Sequence, residues 1–227
     1  DHAVTDPFLS RLCHAVSGPG MMAHMREFAR WTKHAGTPEE LESLKYVRAR
    51  LDEYGYRTTL IMHDAYISLP GPAGIEAPRG RIACITHSFS RSSAPDGVRG
   101  KIVYLQTGAP DAFAANDVRG KIVLVDGIAS PAVALRASEA GAIGQVHVSP
   151  HQYLHEMCVS PVWGSPTHAT MHRLPRTVVV SIAQGDGAAL RQHLETDPNL
   201  AVTLHASVDT GWRRTPILEA ILDLSLI

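Results

Sequence analysis

The chain has 227 residues, 44% hydrophobic and 19% charged, with 21 basic and 22 acidic side chains and a formal net charge of -1. This composition is that of an ordinary soluble globular protein, long enough for one large domain or for one domain with pieces of another. The balanced charge leaves no cationic excess to neutralise phosphates, so no nucleic-acid partner is expected, and no apolar run approaches the roughly 20 residues of a membrane span.

The first residue is Asp1 rather than Met, which predicts a chain processed, trimmed or numbered from inside a longer gene. No signal peptide is visible, and a leader could already have been removed, so the compartment stays open. Cys13, Cys84 and Cys158 are odd in number and far apart, a poor disulfide framework. They are expected to be buried free thiols packing as small hydrophobes.

Three zones follow in chain order. Residues 1–62 read as a helical segment. Met21, Met22, Met25, Phe28 and Ala29 keep helical spacing. Gly36 stops that helix, Thr37 is an N-cap, Pro38 suits the first helical position, and Glu40 lies three residues past the cap. The next helix carries Leu41, Leu44, Tyr46, Val47 and Leu51 toward a core and ends at Tyr54-Gly55, and Arg57–Met62 reads as a strand.

Residues 63–207 read as mixed and mainly β. Turn residues cluster in Leu69-Pro70-Gly71-Pro72. Val98-Arg99-Gly100-Lys101-Ile102-Val103 recurs as Val118-Arg119-Gly120-Lys121-Ile122-Val123, each read as a turn followed by a buried strand of one small sheet or barrel. A helix is expected over Ser130–Gly141, then a strand Gln145–Val148, a strand Thr177–Ile182, a helix Gly187–Leu194, and a last strand Leu200–Ala206. Residues 208–227 are polar through Trp212-Arg213-Arg214-Thr215 and apolar after Pro216, with Ile217, Leu218, Ile221, Leu222, Leu224, Leu226 and Ile227. An isolated domain rarely ends that way.

Thirteen histidines invite a metal reading. His151 with His155, and His168 with His172, have i, i+4 spacing, and Cys158 lies near. Zinc needs three or four such ligands converging, and Pro150, Pro161, Gly164 and Pro166 break the stretch into loop. His155-Glu156 is followed by Met157, Cys158 and Val159, so the zinc-protease pattern His-Glu-x-x-His fails. No Gly-x-Ser-x-Gly elbow and no phosphate loop occur. Glu39-Glu40 is explained as a helix start, and Arg99, Lys101, Arg119 and Lys121 as solvated turn charges. No catalytic, cofactor-binding or metal-ligating residue is therefore assigned.

The stretch Val118–Gly144, with its Val-Arg-Gly-Lys-Ile-Val-Leu-Val-Asp-Gly and Ala-Ser-Glu-Ala-Gly-Ala-Ile-Gly runs, resembles the core of a protease-associated domain, and Leu174–Ser181 resembles that family's following Pro-then-strand element. The loop Glu156–Thr167 is similar to one found in some bacterial members. The Ala-Gly-Thr-Pro-Glu-Glu turn and the helix after it are similar to the N-terminal helices of di-zinc aminopeptidases and glutamate-carboxypeptidase-like metallopeptidases. The resemblance implies a mixed α/β fold: a protease-associated sandwich- or barrel-like domain at 63–207 with flanking helices, a helical piece of a peptidase domain at 1–62, and a returning segment at 208–227.

In that family the first zinc ligands stand in a His-x-Asp motif after the insertion. No such triplet occurs here, and His205 and Asp209 are four apart. The resemblance therefore implies architecture without an active site: zinc for the complete parent enzyme, a peptide or protein substrate for that parent, and a missing peptidase domain or a second copy covering exposed apolar surface. A stand-alone peptide-binding module and a small His-rich metal protein are the alternatives.

Overall fold

The computed structural model describes residues 6–223. Leu224, Leu226 and Ile227 of the apolar tail lie outside the described residues. The chain divides into two compact units: one formed by the chain up to Asp64 together with the chain from Arg214 onward, the other by Ala65–Arg213.

The first unit holds α1 (Pro7–Ala15), α2 (Gly18–Phe28) and α3 (Pro38–Glu53). Each starts on a side-chain cap followed by proline. Asp6 accepts from Phe8 N–H, Ser17 from Gly20 N–H, and Thr37 from Glu40 N–H. Glu40 reaches back to accept from Gly36 N–H at 2.7 Å, one residue before the N-cap, a variant of the reciprocal capping box. Tyr46 of α3 packs edge-on against Phe28 (5.6 Å between centroids), and its hydroxyl meets Nδ1 of His24 at 2.7 Å. Neither α1 nor α2 has a buried residue, and Phe8, Leu12, Val16, Met21 and Met25 are each at least half exposed.

In the second unit, β4 (Val98–Tyr104), β5 (Ile122–Asp126), β6 (Gly144–Val148) and β7 (Val178–Ile182) run parallel in that order. α4 (Pro110–Ala115) connects β4 to β5, α5 (Pro131–Glu139) connects β5 to β6, and α6 (Gln184–Thr196) follows β7. β3 (Ile85–Thr86) pairs antiparallel with β7. The full order is β2-β1-β8-β4-β5-β6-β7-β3, an eight-stranded mixed sheet among the described residues. β6 and β7 are buried throughout, as parallel strands covered on both faces must be. Alternation sends Ile122, Leu124, Val146, Val180 and Ile182 into one core and Val123, Val125 and Val179 into clusters on the other face.

The repeated hexapeptides lie side by side, with Ile102 opposite Ile122 and Val103 opposite Val123. The first copy departs from its expectation. Its Val98–Lys101 half is strand rather than turn, paired antiparallel with Ala201–Leu204 of β8, so β4 changes partner midway.

Two other boundaries differ. β1 (Arg57–Ala77) runs on through Pro70-Gly71-Pro72, and β8 (Ala201–Ile221) runs on through Pro216. Proline is tolerated where one strand edge is unpaired. β2 (Gly80–Ile82) pairs with Ile75–Ala77 of β1, and β4 pairs with Ala201–Leu204 of β8, so among the described residues Pro70, Pro72 and Pro216 lie outside these paired stretches. At Gly71 a Cβ would come within 2.9 Å of the Ser207 carbonyl oxygen, so the missing side chain lets two backbones approach rather than making a turn.

The cysteines are free, as expected, but not uniformly buried. Cys13 and Cys158 are exposed and Cys84 is intermediate. Cys13 lies on the uncovered α1, and Cys158 lies in a loop whose backbone bridges to Ser88. Burial pushes the Cys84 thiol up to about 12, so that sulfur stays a thiol at neutral pH.

Candidate functional site

The site begins with a serine-rich strap, 87–93, between β3 and β4. Phe89 has φ 67°, in the left-handed region, which costs a non-glycine residue about 1–3 kcal/mol and persists only when neighbours over-determine it. They do so here. Phe89 N–H donates to Ser68 Oγ at 2.7 Å, while Ser88 Oγ donates to the Ser68 carbonyl at 2.9 Å. Ser90 Oγ accepts from Val179 N–H at 2.8 Å, and Arg91 N–H donates to the Thr177 carbonyl at 3.0 Å. Ser92 Oγ accepts from Val208 N–H at 2.9 Å, and Ser93 N–H donates to the Ala206 carbonyl at 2.9 Å. The strap is thus pinned to β7 on one side and β8 on the other.

This strap forms one wall of a cleft of about 540 Å³. Tyr66 and Phe89 supply rings, 6.2 Å apart, and Trp212 meets Tyr66 edge-on at 5.3 Å. Arg91, Arg176 and His172 supply the charged and titratable groups, and no carboxylate lines the cleft. Among the described residues neither arginine has an ion pair. Asp209 lies between the lining residues Val208 and Thr210, but its carboxylate is paired with Arg213. Strand alternation turns it to the opposite side.

A buried polar seam lies on the face of β6 and β7 behind the strap. His87 and His147 are fully buried. Nδ1 of His87 accepts from Met157 N–H at 3.0 Å, so Nε2 carries the proton of the neutral ring and donates to Ser181 Oγ at 2.7 Å. That tautomer cannot accept the Ser181 proton, so this His–Ser pair is not a nucleophile with its base. Gln145 uses its NH2 group on the Ala134 carbonyl and Thr177 Oγ1, and its oxygen accepts from Nε2 of His147 at 3.0 Å. Burial, helped by nearby His155, lowers His87 to about 4. Burial, helped by His87, lowers His147 to about 3. Both rings are neutral at pH 7; His87 ties the strap to β7 through Ser181, and His147 holds the Gln145 amide that reaches Thr177.

The five residues singled out for metal do not converge. The ring of His151 stacks on Tyr153 at 4.7 Å, His168 packs against Trp212 at 5.3 Å, and His172 lines the cleft. The charge of His155 contributes to the lowered value of His87, and Cys158 is exposed. Among the described residues no three His, Cys, Asp or Glu side chains are placed to hold a metal ion. The cleft residues Tyr66, Phe89, Arg91 and Arg176 were not anticipated from sequence. The available signal was a lone arginine inside a serine run, and an arginine between Pro175 and the buried β7.

No protein-family model matches the chain, and no curated protein sequence matches it. Solved structures do. An aminopeptidase from Aneurinibacillus sp. strain AM-1 matches with TM-score 0.72 at 18% identity, over 90% of this chain and 47% of that one. BSAP, a zinc aminopeptidase from Bacillus subtilis, matches with TM-score 0.60 at 19% identity, over 86% and 44%. A peptidase M28 precursor from Shewanella amazonensis SB2B matches with TM-score 0.61 at 13% identity, over 82% and 46%. The chain therefore has a fold similar to part of these peptidases and spans less than half the length of each.

Proposed function

We propose that this chain is the N-terminal and protease-associated portion of a zinc aminopeptidase-type exopeptidase. The observation that carries the reading is the asymmetry of coverage: 90% of this chain is matched, against 47% of the Aneurinibacillus aminopeptidase. Residues 63–207 are read as the inserted protease-associated domain. The β5–α5–β6 unit and the paired hexapeptides support that assignment. Residues 1–62 and 208–227 are read as the edge of a peptidase domain. The sequence has no His-x-Asp triplet, and among the described residues the candidate ligands stand apart, which supports placing zinc outside this portion. Zinc and the hydrolytic groups belong to the remainder of the parent, and this portion shapes access of the substrate.

The test is to express the reading frame beyond Ile227 and compare it with the 227-residue chain on leucine p-nitroanilide. The longer protein is expected to hydrolyse it, to stop on chelation and to recover with zinc, while the shorter chain stays inactive. A longer frame that lacks His-x-Asp and hydrolyses nothing overturns the reading. A second reading, a stand-alone peptide-binding module, is favoured by the open cleft of the second unit.

A further inference from the structure

The cleft carries an unanswered charge. Arg91 N–H donates to the carbonyl of Thr177, the residue next to Arg176, and both arginines line the cleft. Like charges that share one cleft repel each other. Proteins ordinarily relieve that with an acid, and the lining of this cleft contains none. The smaller depression of about 210 Å³ shows the contrast, since it holds Arg79 and Arg81 together with Asp186.

The same cleft is aromatic as well, with Tyr66 and Phe89 in its lining and Trp212 edge-on against Tyr66. A bare inorganic anion would leave those rings uncovered. A nucleic acid would need a longer basic track than a chain of net charge -1 supplies. A carboxylate on an apolar or aromatic body satisfies both features: its oxygens take the guanidinium forks, and its body covers the rings. The strap that carries Arg91 is already held by serine and backbone hydrogen bonds around the strained Phe89, so little backbone ordering is left for the ligand to induce.

We infer that this cleft is a binding site for a carboxylate carried beside an apolar or aromatic side chain, as at the C-terminus or an acidic residue of a peptide. The carboxylate preference holds under either reading above, and only the choice of a peptide as carrier rests on the peptidase reading.

Isothermal titration of the intact 227-residue chain tests it with three probes: N-acetyl-Ala-Phe as the free acid, the same dipeptide as its amide, and N-acetyl-Glu-Phe-amide. At low salt at least one acid is expected to bind about tenfold or more tighter than the neutral amide, and whichever does so identifies the source of the carboxylate. In R91Q/R176Q, with an unchanged melting temperature, that preference is expected to vanish, because both side chains are exposed and bear no internal bond. Equal affinity for acids and amide, or a preference that survives in the double variant, overturns the proposal. If the double variant does not fold, the acid-against-amide comparison on the unaltered chain still decides. Hydrolysis plays no part in these readouts, so failure here and failure of the peptidase reading are distinct results.

Discussion

At the scale of single residues, the buried histidines couple stability to pH. His87 and His147 are held neutral, with values lowered from 6.5 to about 4 and about 3. Below pH 6.5 the unfolded chain therefore binds more protons than the folded one, so stability rises with pH through this window. It is complete above about pH 6.5 and is lost as pH falls toward the folded values. At pH 5 each ring is expected to lower stability by roughly 2 kcal/mol relative to pH 7.5. Urea unfolding at the two pH values checks this, and His147→Gln should remove about half of the difference whatever it does to absolute stability. An unchanged midpoint between pH 7.5 and 5 would contradict the neutral, buried assignment. Composition counted thirteen histidines without separating these two from the rest. What separates them is a place on the covered face of β6 and beside β7, which spacing along the chain does not encode.

At the scale of elements, local signals sufficed where the chain interacts with itself nearby. The Thr37–Glu40 cap, the Tyr54-Gly55 stop and the buried runs of β5, β6 and β7 are contacts between near neighbours or short apolar runs bounded by turn residues. The long strands were not legible, because whether Pro70, Pro72 or Pro216 interrupts a strand depends on which edge a distant strand occupies. The packing of α6 on β6 shows the same dependence. Gly187 lies inside α6, where alanine would ordinarily gain about 0.5–1 kcal/mol from helix propensity. Its Cβ would stand 2.2 Å from Val148 Cγ1, and overpacking of that kind costs about 1–3 kcal/mol. The steric effect wins, so Gly187→Ala is expected to lower the melting temperature, with partial recovery when Val148→Ala is added. A variant more stable than the parent would show that α6 can shift outward without loss.

At the scale of the whole molecule, apolar surface is the conspicuous feature. Phe8, Leu12, Val16, Met21 and Met25 on the first helices are exposed, as are Ile217, Ile221 and Leu222 near the far end of β8. Patches of this kind mark surfaces normally covered by a partner, here read as the remainder of a peptidase or a second copy. The 227-residue chain is expected to self-associate at high concentration by light scattering. L12E/M25E should shift it toward monomer and change stability by less than about 0.5 kcal/mol, because neither site is buried. A parent chain that stays monomeric throughout would count against that reading. Among the described residues no helix is long and apolar enough to cross a membrane. By itself the sequence determined the mixture of helices and strands, the Thr37 cap, the strands that end both hexapeptides and the want of a His-x-Asp triplet, because each is written in short stretches of neighbouring residues. Only the tertiary structure decided the cleft. Its rings and arginines come from β1, the strap and the turn into β7. Their meeting depends on hydrogen bonds between residues about ninety apart, whose register no local pattern carries.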